Sequence, residues 1–273
     1  MSLIQIIVLA LIQGITEFLP ISSSGHLILA PVIMGWKDQG VITDMVTNLG
    51  SWTAVVIYFW RDVMAMFRGL GDAVRRRTTY NSNLMFNVVI ATIPILIVGL
   101  LLKITHLDDK IRLAWLVAVN AIVFGLILYL CDTYGLMKRG INDLNWKSSL
   151  IMGVFQSLAL SPGTSRSGIT MSAGRGLGMT RPEAARFSFL MSIPANGAAS
   201  ALIIGDALKS GIPITFDVIL CGVLTFFISL GTIAFLMRML RTMSFLPFVA
   251  YRVLLGGALL GLIAAGVPLV APN

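Results

Sequence analysis

Apolar residues run through this chain in long stretches, and polar residues gather at a few short breaks. Six stretches are long enough to cross a hydrocarbon core of ~30 Å as helices of about 20 residues. They cover Val41–Trp60, Leu84–Leu102, Leu113–Leu130, Phe187–Ile204, Val218–Met237 and Pro247–Ala265. Four more, Leu3–Thr16, His26–Met34, Leu150–Leu160 and Ile169–Leu177, are too short to cross. They fall into two pairs, each interrupted by Pro, Gly and Ser. A short pair with a broken polar tip predicts a re-entrant hairpin, which enters the bilayer and leaves on the same side. Irregular backbone at that depth is tolerated only where it packs in protein or lines a wet cavity.

The order hairpin, three spans, hairpin, three spans predicts an all-α polytopic membrane protein. It is expected to be an inverted repeat of two five-helix units, with six transmembrane helices plus two re-entrant helical hairpins. The chain then forms one membrane domain over 1–273, with repeats at about 1–140 and 141–273. A shift of 143 positions places Gln13 on Gln156, Ser22 on Ser165, Ser24 on Ser167 and Gly25 on Gly168, and Glu17 on Leu160. Three crossings per half is an odd number, so the second half is inverted relative to the first.

Composition agrees with lipid as the main solvent: 57% of the 273 residues are hydrophobic and 12% are charged, against roughly 25% charged in soluble domains. The net charge of +8 sits in short loops, which points to topology and anionic headgroups rather than nucleic acid. With the N-terminus outside, thirteen Lys and Arg fall in cytoplasmic loops, among them Arg61, Arg68, Arg75, Arg76, Arg77, Lys138, Arg139, Arg175, Arg181 and Arg186. Five fall outside: Lys37, Lys103, Lys110, Arg112 and Lys209. Both termini are therefore expected on the outer face. Arg252, two turns into the last span, is expected to snorkel or to pair with a neighbour. Cys131 and Cys221 are expected to be free thiols, and Trp36, Trp60, Trp115 and Trp146 interfacial anchors. Met1–Ala10 lacks a basic leader and reads as part of the fold.

The chemistry concentrates in the two tips. The first is Gln13-Gly-Ile-Thr-Glu17-Phe-Leu-Pro20-Ile-Ser22-Ser23-Ser24-Gly25-His26, and the second Gln156-Ser-Leu-Ala-Leu-Ser161-Pro162-Gly163-Thr164-Ser165-Arg166-Ser167-Gly168. Ionisable groups at membrane depth are costly and mark function by default. Gln13 and Glu17 share a helix face. The hydroxyls of Ser22, Ser23, Ser24, Thr164 and Ser165 suit helix N-caps, so two helix N-termini would converge on an anion, most naturally phosphate. Arg166 adds a forked, permanently charged donor. Glu17 then serves as a divalent-metal ligand, or as a base holding His26 or a serine hydroxyl. The structural alternatives are a Glu17–Arg166 ion pair, a capping histidine, and serines that only cap.

These two motifs closely resemble the undecaprenyl-diphosphate phosphatase family of the bacitracin-resistance type, and the resemblance extends through Phe245-Leu-Pro-Phe-Val-Ala-Tyr251-Arg252. It implies a bacterial inner-membrane enzyme, its site open to the periplasm, that hydrolyses a C55 polyprenyl diphosphate to the monophosphate and so recycles the carrier lipid for cell-wall synthesis. It also implies a divalent cation, Mg²⁺ or Ca²⁺, with Glu17 and Gln13 as ligand candidates. Glu17 would be the main catalytic carboxylate, Ser23 and His26 the nucleophile and base candidates, and Arg166 a catalytic cation. Phosphate contacts would come from Ser22, Ser24, Gly25, Ser165, Arg166, Ser167 and Thr170. The attacking group is left among Ser23, with His26 as its base, His26 itself and metal-bound water. Expected partners are the lipid substrate and the membrane, with a homodimer admissible. The alternative from another class is a transporter or flippase for polyprenyl phosphate, since inverted repeats with broken helices are common in transporters.

Overall fold

The computed structural model describes residues 2–23, 25–26, 34–36, 41–105, 113–210 and 215–266, without the side chains of 41 and 202–210. The returning arm of the first hairpin, Ser24 and the His106-Leu-Asp-Asp109 segment therefore lie largely outside the described residues. Within them the secondary structure is helical: α1 (Leu3–Thr16), α2 (Val41–Tyr58), α3 (Trp60–Val74), α4 (Tyr80–Thr105), α5 (Ala114–Tyr134), α6 (Trp146–Ser157), α7 (Arg166–Gly176), α8 (Arg181–Ser210), α9 (Phe216–Met239) and α10 (Leu246–Ala264).

Four of these, α4, α5, α9 and α10, are long and apolar enough to cross a membrane. Their apolar side chains stay outward: on α4, Phe86, Val89, Ile93, Ile97, Leu101 and Ile104 are all exposed. An apolar surface that broad on a helix is suited to lipid. The other two expected spans, α2 and α8, are long but more polar, and packing explains why. The polar stripe Thr43, Thr47 and Ser51 of α2 is buried, with Ser229 of α9 donating to Ser51 at 3.2 Å. On α8, Phe187 through Met191 are all fully buried. Protein covers these faces, so an apolar coat is unnecessary there. The expected span Val41–Trp60 also ends early, at Tyr58. Trp60 opens a separate helix, α3, whose Trp60, Phe67, Leu70 and Val74 are exposed beside Arg61 and Arg68. Its amphipathic pattern is that of a helix lying in the interface, where the sequence suggested only a basic loop.

The helix contacts come in pairs that exchange between the halves. α1 packs on α9 as α6 packs on α4, α2 packs on α9 as α8 packs on α4, and α5 meets α10. Close approach depends on small residues: a Cβ on Gly50 would lie 2.4 Å from the carbonyl oxygen of Gly222, so α2 and α9 touch backbone to backbone. Beneath the first tip, Phe18 packs edge-on against Phe189 at 5.5 Å, and Phe59 lies 5.9 Å from the same ring. Such aromatic pairs add about 0.5–1.5 kcal/mol each beyond their buried area and pin the residue next to Glu17.

At the far end a buried carboxylate ties four elements together. Asp132 of α5 accepts from Arg175 Nε of α7 and Arg181 Nε of α8, both at 2.8 Å, and from the Phe245 amide at 3.2 Å. Arg175 is fully buried, so it is an internal strut rather than the free cytoplasmic charge expected of it. Arg186 likewise pairs with Asp62. Setting Arg175, Arg181 and Arg186 aside leaves ten Lys and Arg in the loops of one expected side against five in those of the other, and the charge asymmetry survives.

Candidate functional site

The two tips meet. Helix α1 stops at Thr16, and residues 17–21 form turns before Ser22, which has φ +78°. In the second tip a 3₁₀ turn (Leu158–Leu160) runs into Gly163, at φ +87°, and Ser165, at φ +68°. A non-glycine residue at positive φ costs about 1–3 kcal/mol and persists only where its surroundings enforce it. Ser22 and Ser165 are also the pair related by the 143-residue shift. The strain thus occurs twice, at matching points. Ser165 caps α7, its hydroxyl accepting from the Gly168 amide at 3.2 Å.

Arg252 braces these turns. It is buried and donates to five backbone carbonyls: Ala121 (3.0 Å), Asn120 (3.2 Å), Pro20 (3.4 Å), Gly163 (3.1 Å) and Thr164 (2.8 Å). Of the two expectations, snorkelling is corrected, since the side chain is buried; it pairs with neighbours, but through backbone carbonyls, and its guanidinium staples both tips to α5. Only Arg, with five donors in one plane, can do this. Asn120 reinforces the second tip, donating to Ser161 Oγ at 2.8 Å and the Pro162 carbonyl at 2.7 Å. Ser167 donates to the Leu19 carbonyl at 3.0 Å and closes the tips on each other.

Glu17 stands at the junction, mostly buried. Its Oε1 accepts from Arg166 Nη2 at 2.8 Å and Asn196 Nδ2 at 3.3 Å. Its Oε2 accepts from Ser23 Oγ at 3.1 Å and Gln13 Nε2 at 3.3 Å. The Glu17–Arg166 ion pair weighed as a structural alternative is therefore present, yet it does not saturate the site. Arg166 Nη1, Gln13 Oε1 and Thr164 Oγ1 are buried without a partner. Buried polar atoms are rarely left unpaired, and each exception calls for an explanation. Beside the Glu17 carboxylate, the open donor of Arg166 suits a phosphate oxygen, and the open acceptor of Gln13 suits a cation.

The expected Ser23–His26 relay is corrected. Ser23 donates to Glu17, whereas His26 Nδ1 meets the Ser22 carbonyl at 2.7 Å and Nε2 meets the Tyr251 hydroxyl. Facing a carbonyl, Nδ1 carries the proton, so Nε2 accepts from Tyr251. The imidazole is engaged on both sides, its ring 5.6 Å from that of Tyr251. Thr170 is corrected as well. It is fully buried, bonded to the Arg166 carbonyl at 2.8 Å and to Ser188 Oγ at 2.6 Å, so its hydroxyl is engaged in locking α7 to α8. Gly25 packs close to Val117 and Ser167 serves the tip contact. Ser24 lies outside the described residues.

Asn196, Asn48 and Tyr251 join the site unpredicted. Asn48 Oδ1 accepts from Gln13 Nε2 at 3.1 Å and so turns the Gln13 oxygen free. Both asparagines interrupt apolar stretches, the same signal that picked out the tips. Among the described residues no three His, Cys, Asp or Glu cluster as a metal site. Glu17 with the open Gln13 oxygen is instead the sparse protein set of a cation shared with phosphate: Mg²⁺ commonly takes one or two carboxylates, water and substrate oxygens. The residues fit the group on those terms.

Comparison with known proteins follows the same lines. The profile of the family described as bacitracin resistance protein BacA matches residues 6–258. An undecaprenyl-diphosphatase of Erythrobacter litoralis (strain HTCC2594) is 43% identical, the match covering 95% of this chain and 99% of that protein. Undecaprenyl-diphosphatase 1 of Pseudoalteromonas translucida (strain TAC 125) is 45% identical over 95% of this chain and 98% of its own length. The undecaprenyl-diphosphatase of Ruegeria pomeroyi (strain ATCC 700808 / DSM 15171 / DSS-3) is 42% identical over 96% and 99%.

Proposed function

This chain belongs to the bacitracin resistance (BacA) family, and on that footing we propose that it hydrolyses undecaprenyl diphosphate to undecaprenyl phosphate and inorganic phosphate. The observation that carries the reading is the hydrogen bond from Ser23 Oγ to Glu17 Oε2, next to an arginine with an open donor. A serine hydroxyl is a weak nucleophile until a base takes its proton, and Glu17 is the base in reach. Ser23 Oγ attacks the terminal phosphorus, and its proton passes to Glu17. The anhydride P–O bond breaks, and undecaprenyl phosphate leaves with its oxygen negatively charged. Water then attacks the phosphoserine and leaves with the phosphoryl group as inorganic phosphate, carrying both of its protons, while Glu17 returns its proton to Ser23 Oγ. Arg166 Nη1 and the N-terminus of α7 hold the charge that shifts during transfer. His26 and Tyr251 fix the turn at Ser22.

A divalent cation, Mg²⁺ or Ca²⁺, is part of the proposal. Glu17 and Gln13 Oε1 would hold it, and when bound it supplies charge neutralisation for the diphosphate. A pure transporter of polyprenyl phosphate needs anion binding but gives the Ser23–Glu17 contact no role. The test is phosphate release from farnesyl diphosphate by purified protein in detergent, where transport does not occur; binding without release would reject the phosphatase.

The paired helix contacts support an inverted repeat around this site. The charge asymmetry supports an inner-membrane protein with both termini, and the site, facing the periplasm. In a variant lacking Cys131 and Cys221, cysteine at Thr105 should react with an impermeant label in cells whose inner membrane is intact, and cysteine at Arg76 should not. Labelling at 76 alone would reverse the orientation.

A further inference from the structure

The site as proposed handles the diphosphate and leaves open how the enzyme holds an apolar tail. A groove of about 420 Å³ runs between α4 and α8. Leu96, Gly99 and Leu100 form one wall, and Ala195, Ala198 and Ala199 the other. Three polar residues share its lining, Lys103, Arg166 and Asn196, and the last two are the side chains bound to Glu17 Oε1. The groove is thus continuous with the catalytic junction rather than a separate surface dimple. On its outer lip Leu96 and Leu100 are 45% and 60% exposed, so it opens on the lipid-facing side of a membrane-crossing helix. Its walls are otherwise apolar, and Gly and Ala keep it open where larger residues would close it.

We infer that this groove takes the head-proximal isoprenoid units of the substrate, which enter sideways from the bilayer while the diphosphate reaches Arg166. The inference rests on the phosphatase reading and gives it a determinant of tail specificity. A diphosphate with a charged head and an unbranching path of methyl-bearing units matches a groove that presents Arg166 beside Glu17 and is lined mainly by hydrocarbon. Tail beyond the groove stays in lipid, bound or free, so it adds little affinity. The enzyme discriminates short chains from medium ones and is nearly blind to further length.

Gly99 offers the cleanest test, because a Cβ there would meet only Leu160 Cδ1, at 4.0 Å. Gly99→Leu fills the groove without a backbone clash, and Ala198→Leu fills it from the opposite wall. Each should lower the preference for farnesyl over isopentenyl diphosphate, taken as the ratio of kcat/KM values, by about tenfold. Gly257→Leu, at an open position on α10, is the control and should keep the wild-type ratio. An unchanged ratio in both groove variants would overturn the inference. A farnesyl diphosphate analogue with a photoreactive tail separates the two claims. Crosslinks to 95–103 or 195–199, lost in Gly99→Leu, support the groove even if the wild type releases no phosphate, a result that would reject only the phosphatase. Crosslinks elsewhere reject the groove whatever the turnover.

Discussion

Glu17→Gln is expected to lower kcat for phosphate release by about 10²–10⁴-fold, the range that one positioned general base contributes. Glutamine keeps the shape of the side chain and one carbonyl oxygen for Arg166, now 2.8 Å from Glu17. It removes the charge that draws the Ser23 proton. Arg166 is then less neutralised, so its attraction for phosphate rises, and at saturating divalent cation KM should stay level or fall. That split identifies a group acting on the reaction rather than on binding. Glu17→Ala would be less informative, since it strands a buried cation, a loss that destabilises by about 3–5 kcal/mol. A Gln variant with near-normal kcat would mean that Ser23 is activated by something else.

Arg252→Leu should have the largest effect on stability. It leaves the carbonyls of Pro20, Asn120, Ala121, Gly163 and Thr164 without their shared donor. An unsatisfied buried polar group costs about 1–3 kcal/mol. Allowing for relaxation, the total should be on the order of 4 kcal/mol, or about 10 °C in melting temperature at this size. Activity should vanish with it, because both strained serines, Ser22 and Ser165, are held by turns that this side chain secures. Arg252→Lys keeps the charge but has too few donors, in the wrong arrangement, to span two tips and α5, and should fall between. A Leu variant that melts like the wild type would remove Arg252 from its role as the staple.

Much of this was legible in the sequence, for definite reasons. Lipid demands apolar surface, so α4, α5, α9 and α10 announce themselves, and any polar residue inside such a stretch is conspicuous. That contrast exposed Glu17, Ser23, Arg166 and both tips. It failed where the contrast vanishes. α2 and α8 stand out less sharply as spans, because the faces they bury against protein carry polar residues such as Thr43, Thr47, Ser51, Ser188 and Ser192. α3 alternates charge with large apolar groups and reads as a loop until its helical face is seen. Partners are harder still, because spacing gives a shared face but not a bond. Ser23 and His26 are three apart, yet one turns to Glu17 and the other to Tyr251, 225 residues away. Arg252 shows the same limit: five carbonyl acceptors leave no trace in sequence.

The most direct measurement is a single turnover with substrate labelled in the terminal phosphate, quenched in acid and mapped by peptide. An acid-stable phosphoserine at Ser23, formed in the wild type and suppressed in Glu17→Gln, is the predicted result. An acid-labile, base-stable adduct at His26, or full turnover by Ser23→Ala, would contradict it.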